Sequence, residues 1–179
     1  GQDMAVRLES AERAFHETER AIAGTSGRIT GTVRIGAPDG FGSMFLAPVL
    51  AQLRALHPQL FVQLVPVPRA FSLSQREADI PVMVGRPTQG RLVARKVTDY
   101  SLSRYASRQF ALKNGTPASS DELRDYPLIG YVEDLLYAPS LNYVDEFAPN
   151  WKPAIEVSTS VGQAQAVKGG AGLGIMHDY

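Results

Sequence analysis

The chain has 179 residues, 44% of them hydrophobic and 20% charged, with 18 basic residues balancing 18 acidic ones and no cysteine. That length allows one medium domain or two small lobes, and the apolar share is enough for a real core. Zero net charge argues against a grip on a nucleic-acid backbone, and the lack of cysteine rules out a disulfide framework or a thiolate metal site.

Residues 3–23 read as a helix. Met4, Leu8, Ala11, Phe15, Thr18 and Ile22 recur at alternating steps of four and three, a short heptad seam. The break Gly24-Thr25-Ser26-Gly27 isolates this helix. It therefore reads as a pairing helix for a second chain, with a surface helix packed on its own domain as the alternative. A strand follows over 31–35, where Val33 and Ile35 alternate with Thr32 and Arg34. Glycine-rich punctuation over 36–42 leads to Ser43 as an expected N-cap. A helix then runs to Leu56 with Phe45, Leu46, Val49, Leu50 and Leu53 on one face.

His57-Pro58 stops that helix. A strand over 61–67, a polar helix over 72–78 and a strand over 80–84 complete a β-α-β-α-β order, which implies parallel strands. Pro81 removes a ladder donor from the third strand and places it at an edge or a bulge. Another strand is expected over 92–97.

A second set then begins. It comprises strand 100–106, helical pieces at 108–113 and 120–124, strand 128–132, a loop to 141, a helical turn over 142–147, strand 153–158, helix 161–168 and strand 173–176. The fold class is thus α/β, as two lobes of similar size joined near residues 97–99.

The glycine-rich turn at 36–43 is neither a phosphate loop nor a dinucleotide fingerprint, because no Lys precedes Ser43 and no third Gly follows Gly42. Gly169-Gly170-Ala171-Gly172 precedes a strand and reads as a helix C-cap with a tight turn. No nucleophile motif and no metal-ligand spacing is present, so an enzyme is not expected, nor a metal or cofactor. The scattered His16, His57 and His177 read as surface or capping groups. Glu133-Asp134 reads as a solvated loop or N-cap, with a ligand-contacting or acid–base pair as the sharper alternative. Tyr131, Tyr137, Tyr143 and Trp151 read as core. Thr159-Ser160 before the last helix repeats the arrangement at Ser43. Two helix starts, one per lobe, are expected to face each other across a cleft suited to a small anion.

Several ordered segments resemble the effector-binding domain of LysR-type transcriptional regulators. They are Gly36-Ala37-Pro38, Leu46-Ala47-Pro48, His57-Pro58, Arg76-Glu77-Ala78-Asp79-Ile80, Gly85-Arg86-Pro87, Tyr105-Ala106-Ser107, Gly115-Thr116-Pro117 and Ala171-Gly172-Leu173-Gly174-Ile175. Residues 4–23 resemble that family's linker helix. The resemblance implies two Rossmann-like lobes of the periplasmic-binding-protein type preceded by a linker helix. Its expected parts are 1–27 as linker and hinge, 28–98 as lobe I and 99–179 as lobe II. Met4, Leu8, Ala11, Phe15 and Ile22 would serve dimerisation. It further implies a small effector bound between the lobes, against Pro38, Asp39, Gly40, Phe41 and Ser43 from one loop. Tyr100 and Leu102 near the crossover, Tyr131, Glu133 and Asp134 after a strand, and Thr159, Ser160 and Val161 at a helix start would complete the site.

The expected protein is a bacterial, cytoplasmic, dimeric or tetrameric regulator whose effector is a small carboxylate. DNA would be read only by a winged helix-turn-helix outside these residues, and no membrane is implied. The chain begins with Gly and ends in a strand, so it reads as a piece of a longer protein that also lacks a tail returning to lobe I. The rival reading is a solute-binding protein of the same fold working outside the membrane.

Overall fold

The computed structural model describes residues 29–67, 78–85, 93–136 and 143–178. The expected pairing helix with Met4, Leu8, Ala11, Phe15 and Ile22 lies outside these residues, as do nearly all of the expected 72–78 helix and Tyr137.

The first lobe is built on strand β1 (Gly31–Pro38), flanked in parallel by β2 (Leu60–Val67) and β3 (Ile80–Pro81), in the order β2-β1-β3. β1 is longer than its alternation alone suggests. Gly36, Ala37 and Pro38 stay extended because they continue the ladder opposite Val65, Pro66 and Val67. Among the described residues β3 lies at the edge of the sheet, in keeping with Pro81, and it is two residues long. The next amide, Val82 N, makes one more bond to Gly36 O at 2.7 Å. The expected strand over 92–97 does not form: residues 93–100 are irregular and Val93 is fully exposed. An apolar stretch becomes a strand only beside an edge that accepts it, and no described strand pairs with this one.

After β1 a π-helical turn (Phe41–Leu46) runs into helix α1 (Ala47–Leu56). Pro48 explains the widened turn, because it has no N–H to offer and its ring crowds the carbonyl four residues back. The ladder opens accordingly, with Ala47 N bonding Gly42 O. Ser43 is therefore not the N-cap. Helical backbone is already present at Gly40 (φ −63°, ψ −52°), and Ser43 lies exposed inside the turn. Ile35, Ala37, Phe41 and Leu46 form the small core of this lobe.

The second lobe contains β4 (Ser101–Tyr105), α2 (Arg108–Asn114), β5 (Leu128–Tyr131), the short α3 (Val144–Phe147), β6 (Pro153–Val157), α4 (Ser160–Lys168) and β7 (Gly174–Asp178). β5 runs parallel to β6, whereas β4 runs antiparallel to β7. A bridge between Leu128 and Leu173 joins the two pairs into one layer. Ser107 caps α2, its Oγ accepting from Phe110 N at 3.2 Å. α4 ends as the glycines predict. Gly170 takes φ +81°, its N–H bonds Val167 O at 3.0 Å, and Ala171 N reaches Ala166 O at 3.1 Å, the paired bonds of a Schellman cap.

The larger core sits here, with Phe110, Leu123, Leu128, Tyr143, Trp151, Leu173 and Ile175 all buried. Tyr143 and Trp151 are core residues, as expected. Trp151 also donates Nε1 to Tyr126 O at 2.9 Å, so its one polar atom is not left dry.

Candidate functional site

The carboxyl ends of β1 and β5 and the start of α4 converge, the edge at which open α/β sheets bind ligands. On the first-lobe side, Asp39 follows Pro38 directly. Gly42 sets its position: a Cβ there would lie 2.8 Å from Pro66 Cβ and 3.2 Å from Ala37 Cβ. Only glycine lets the turn lie this close to β1 and β2. Phe41 and Phe45 stack at 4.9 Å and hold the turn onto the core.

On the second-lobe side Thr159 is the N-cap of α4, its Oγ1 accepting from Gly162 N at 2.9 Å. The amides of Ser160 and Val161 point beyond the helix and are taken by Asp39. Oδ2 accepts from Ser160 N at 2.7 Å and from Val161 N at 3.3 Å, and Oδ1 accepts from Ser160 Oγ at 3.3 Å. Tyr131, at the end of β5, donates its hydroxyl to Ser160 Oγ at 2.8 Å. In the first lobe helical backbone begins at Asp39 and Gly40, so the two helix starts meet, and the carboxylate at the start of α4 is that of Asp39 itself.

Beside this cluster lies His177 on β7, paired opposite Leu102 of β4. Its ring lies 4.8 Å from that of Tyr100 and 5.9 Å, edge-on, from that of Tyr143. It is not the surface group expected. Burial lowers its pKa, against the opposing pull of the Asp178 and Asp39 carboxylates. Asp178 is held by three hydroxyls from alternate β4 positions. Ser101 Oγ donates at 2.7 Å, Ser103 Oγ at 2.8 Å, and Tyr105 Oη donates as well. That bond to Asp178, with burial and the Asp178 charge, pushes the Tyr105 pKa up to about 12.

Of the sequence-derived site residues, the structure brings together Asp39, Tyr131, Thr159, Ser160 and Val161, with Tyr100 and Leu102 alongside through His177. Pro38 ends β1 half-buried, Gly40 is buried and Phe41 belongs to the core. Ser43 is exposed, as are Glu133 and Asp134 in a 3₁₀ turn. His177 and Asp178 escaped the sequence reading. The signal for them was Ser101-x-Ser103-x-Tyr105, three hydroxyls on one face of a strand, which call for an acceptor opposite. Among the described residues no three His, Asp or Glu side chains gather as a metal site, and no helix is long and apolar enough to cross a membrane.

Comparison with known proteins places this geometry. Residues 26–179 match the family model of the LysR substrate binding domain. The HTH-type transcriptional regulator DgdR of Burkholderia cepacia is 35% identical over 86 residues, covering 46% of this chain and 29% of that protein. An uncharacterized HTH-type transcriptional regulator of Haemophilus influenzae is 26% identical over 152 residues, 85% of this chain and 47% of that protein. The chain thus spans less than half the length of both relatives. In structure it is similar to the regulatory domain of CrgA from Neisseria meningitidis (TM-score 0.72, 24% identity, covering 84% of this chain and 74% of that one). It is also similar to the longer CrgA structure (TM-score 0.73, 23% identity, 98% of this chain and 59% of that one). These likenesses show the two-lobed periplasmic-binding-protein fold.

Proposed function

The chain belongs to the LysR substrate-binding-domain family, and from that premise we propose that it senses a small carboxylate between its lobes on behalf of a DNA-binding regulator. In this reading residues 28–98 and 99–179 are the two lobes, and residues 1–27 carry the helix that pairs protomers into a dimer or tetramer. Effector binding favours one arrangement of the lobes and so changes how the paired linker helices are set. DNA contact belongs to a helix-turn-helix outside these residues, in a cytoplasmic protein without enzymatic activity. Family membership favours this regulator over the solute-binding rival.

One observation supports the carboxylate. The start of α4 holds a carboxylate already, that of Asp39, through Ser160 N and Val161 N. Two first-turn amides at the positive end of a helix suit such a group, and Ser160 Oγ and Tyr131 Oη extend the polar lining. Thermal-shift measurement of the full-length regulator against small carboxylates and their neutral amides tests the reading. A ligand at 100 times its Kd adds about 2.7 kcal/mol of stability. Shifts by neutral compounds alone would overturn the carboxylate assignment.

A further inference from the structure

The start of α4 has no donor to spare. Gly162 N is taken by Thr159 Oγ1, Gln163 N by Thr159 O at 3.0 Å, and Ser160 N and Val161 N by Asp39. Asp39 reaches across from the other lobe, 121 residues away in sequence. A second carboxylate cannot share those amides with it, because each amide has one hydrogen to give and like charges at contact repel. We propose that Asp39 is an autoinhibitory latch: it closes the lobes on each other by occupying, with its own carboxylate, the place an acidic effector must take. The inference rests on the effector reading above and adds its regulation. An effector acid replaces the Asp39 bonds one for one, which frees the turn after β1 from the second lobe. The turn itself, pinned by Gly42 against β2, then carries the change into the first lobe.

The latch has a direct test that needs no knowledge of the effector. Amide hydrogen exchange at Ser160, Val161 and Gly162 is followed by NMR in the wild-type chain and in Asp39→Ala, with acetate as the probe and acetamide as its neutral counterpart. In the wild type Ser160 and Val161 exchange slowly and ignore acetate. In Asp39→Ala both exchange about tenfold faster, the effect of losing one charge-assisted hydrogen bond each, while Gly162, held by Thr159, changes little. Acetate then refills the vacated position in the variant and slows both amides again in a saturable way; acetamide does not.

Equal exchange in wild type and variant would show that Asp39 does not dock. Equal protection of both proteins by acetate would show that it docks without blocking. Either result overturns the latch. Should Asp39→Ala not fold, Asp39→Asn keeps an acceptor oxygen and loses the charge. Both amides must still exchange faster in it than in the wild type, and undiminished protection there refutes the proposal. The two readings fail separately. Acetate rescue with no carboxylate shift in the full-length protein leaves the latch and removes the acidic effector. A carboxylate shift with unchanged exchange does the reverse.

Discussion

The start of α4 can be probed by a double-mutant cycle whose sign is set by one distance. Thr159→Ala removes the Oγ1 that accepts from Gly162 N at 2.9 Å. Loss of such a cap costs about 1 kcal/mol, within a range of about 0.5–2. Gly162→Ala should by itself stabilise, since alanine favours the helix over glycine by up to about 1 kcal/mol. In this helix, however, the new Cβ would sit 2.9 Å from Thr159 Oγ1, with Val157 Cβ behind it at an ordinary 3.6 Å. Thr159 is branched at Cβ and held by the cap bond, so it cannot swing aside cheaply. The methyl therefore dislodges the cap and loses what it gained. Gly162→Ala is expected to be neutral to slightly destabilising in the wild type, yet stabilising by about 0.5–1 kcal/mol in Thr159→Ala. That is a coupling of about 1 kcal/mol. Urea unfolding followed by fluorescence of Trp151, the single tryptophan and a core residue of the same lobe, reads all four proteins. A Gly162→Ala effect of one sign and size in both backgrounds would refute the cap geometry and with it the placement of the Ser160 and Val161 amides.

Three further outcomes follow from the same contacts. Gly42→Ala forces a methyl into the 2.8 Å approach to Pro66 Cβ, against rigid neighbours, and should cost about 1–3 kcal/mol by overpacking; thermal melts measure it, and faster exchange at Ser160 N should accompany it as Asp39 is displaced. Tyr105 has a raised pKa, so its contribution to stability is complete below the ordinary tyrosine value of 10.0 and is lost as pH rises toward about 12. The gap in melting temperature between wild type and Tyr105→Phe should therefore close across that alkaline window, and a constant gap would contradict the Asp178 bond. His177 has a lowered pKa, so its contribution is present above 6.5 and is lost as pH falls below that value through the depressed one. His177→Gln should flatten the acid limb of a stability–pH curve recorded by the same fluorescence.

Much of the fold was legible because its signals are local. Alternation marks β1 and β2, a glycine pair marks the end of α4, and Pro81 marks an edge. The misplaced Ser43 cap shows how a local signal is overruled. The ladder to β2 extends β1 through Pro38, and Pro48 opens the following turn, so helix begins at residues where the sequence reads as loop. The expected strand over 92–97 failed for the opposite reason, an adequate local pattern with no described strand beside it. Pairings such as Ser103 with Asp178 between β4 and β7, 75 apart in sequence, or Asp39 with Ser160, 121 apart, leave no periodic trace. Thr159 and Ser160 could be named as a helix start from the sequence, but not what fills it.

If Asp39 is the proposed latch, that filling decides what kind of acid could displace it. A carboxylate tethered to the same chain acts at an effective concentration on the order of millimolar or above, set by the stiffness of its connection. Asp39 is anchored through a turn packed on two strands, so its advantage over a free acid in solution is large. An acid that offers only its carboxylate competes with Asp39 on chemistry alone and loses on concentration. To win, an effector must add contacts that Asp39 cannot make, and the neighbouring surface supplies them in Tyr131 and in the rings of Tyr100 and His177. On the proposed reading, a latch made of the effector's own functional group would separate affinity for acids in general, which the α4 start would give to any of them, from response to one acid whose remaining atoms fit.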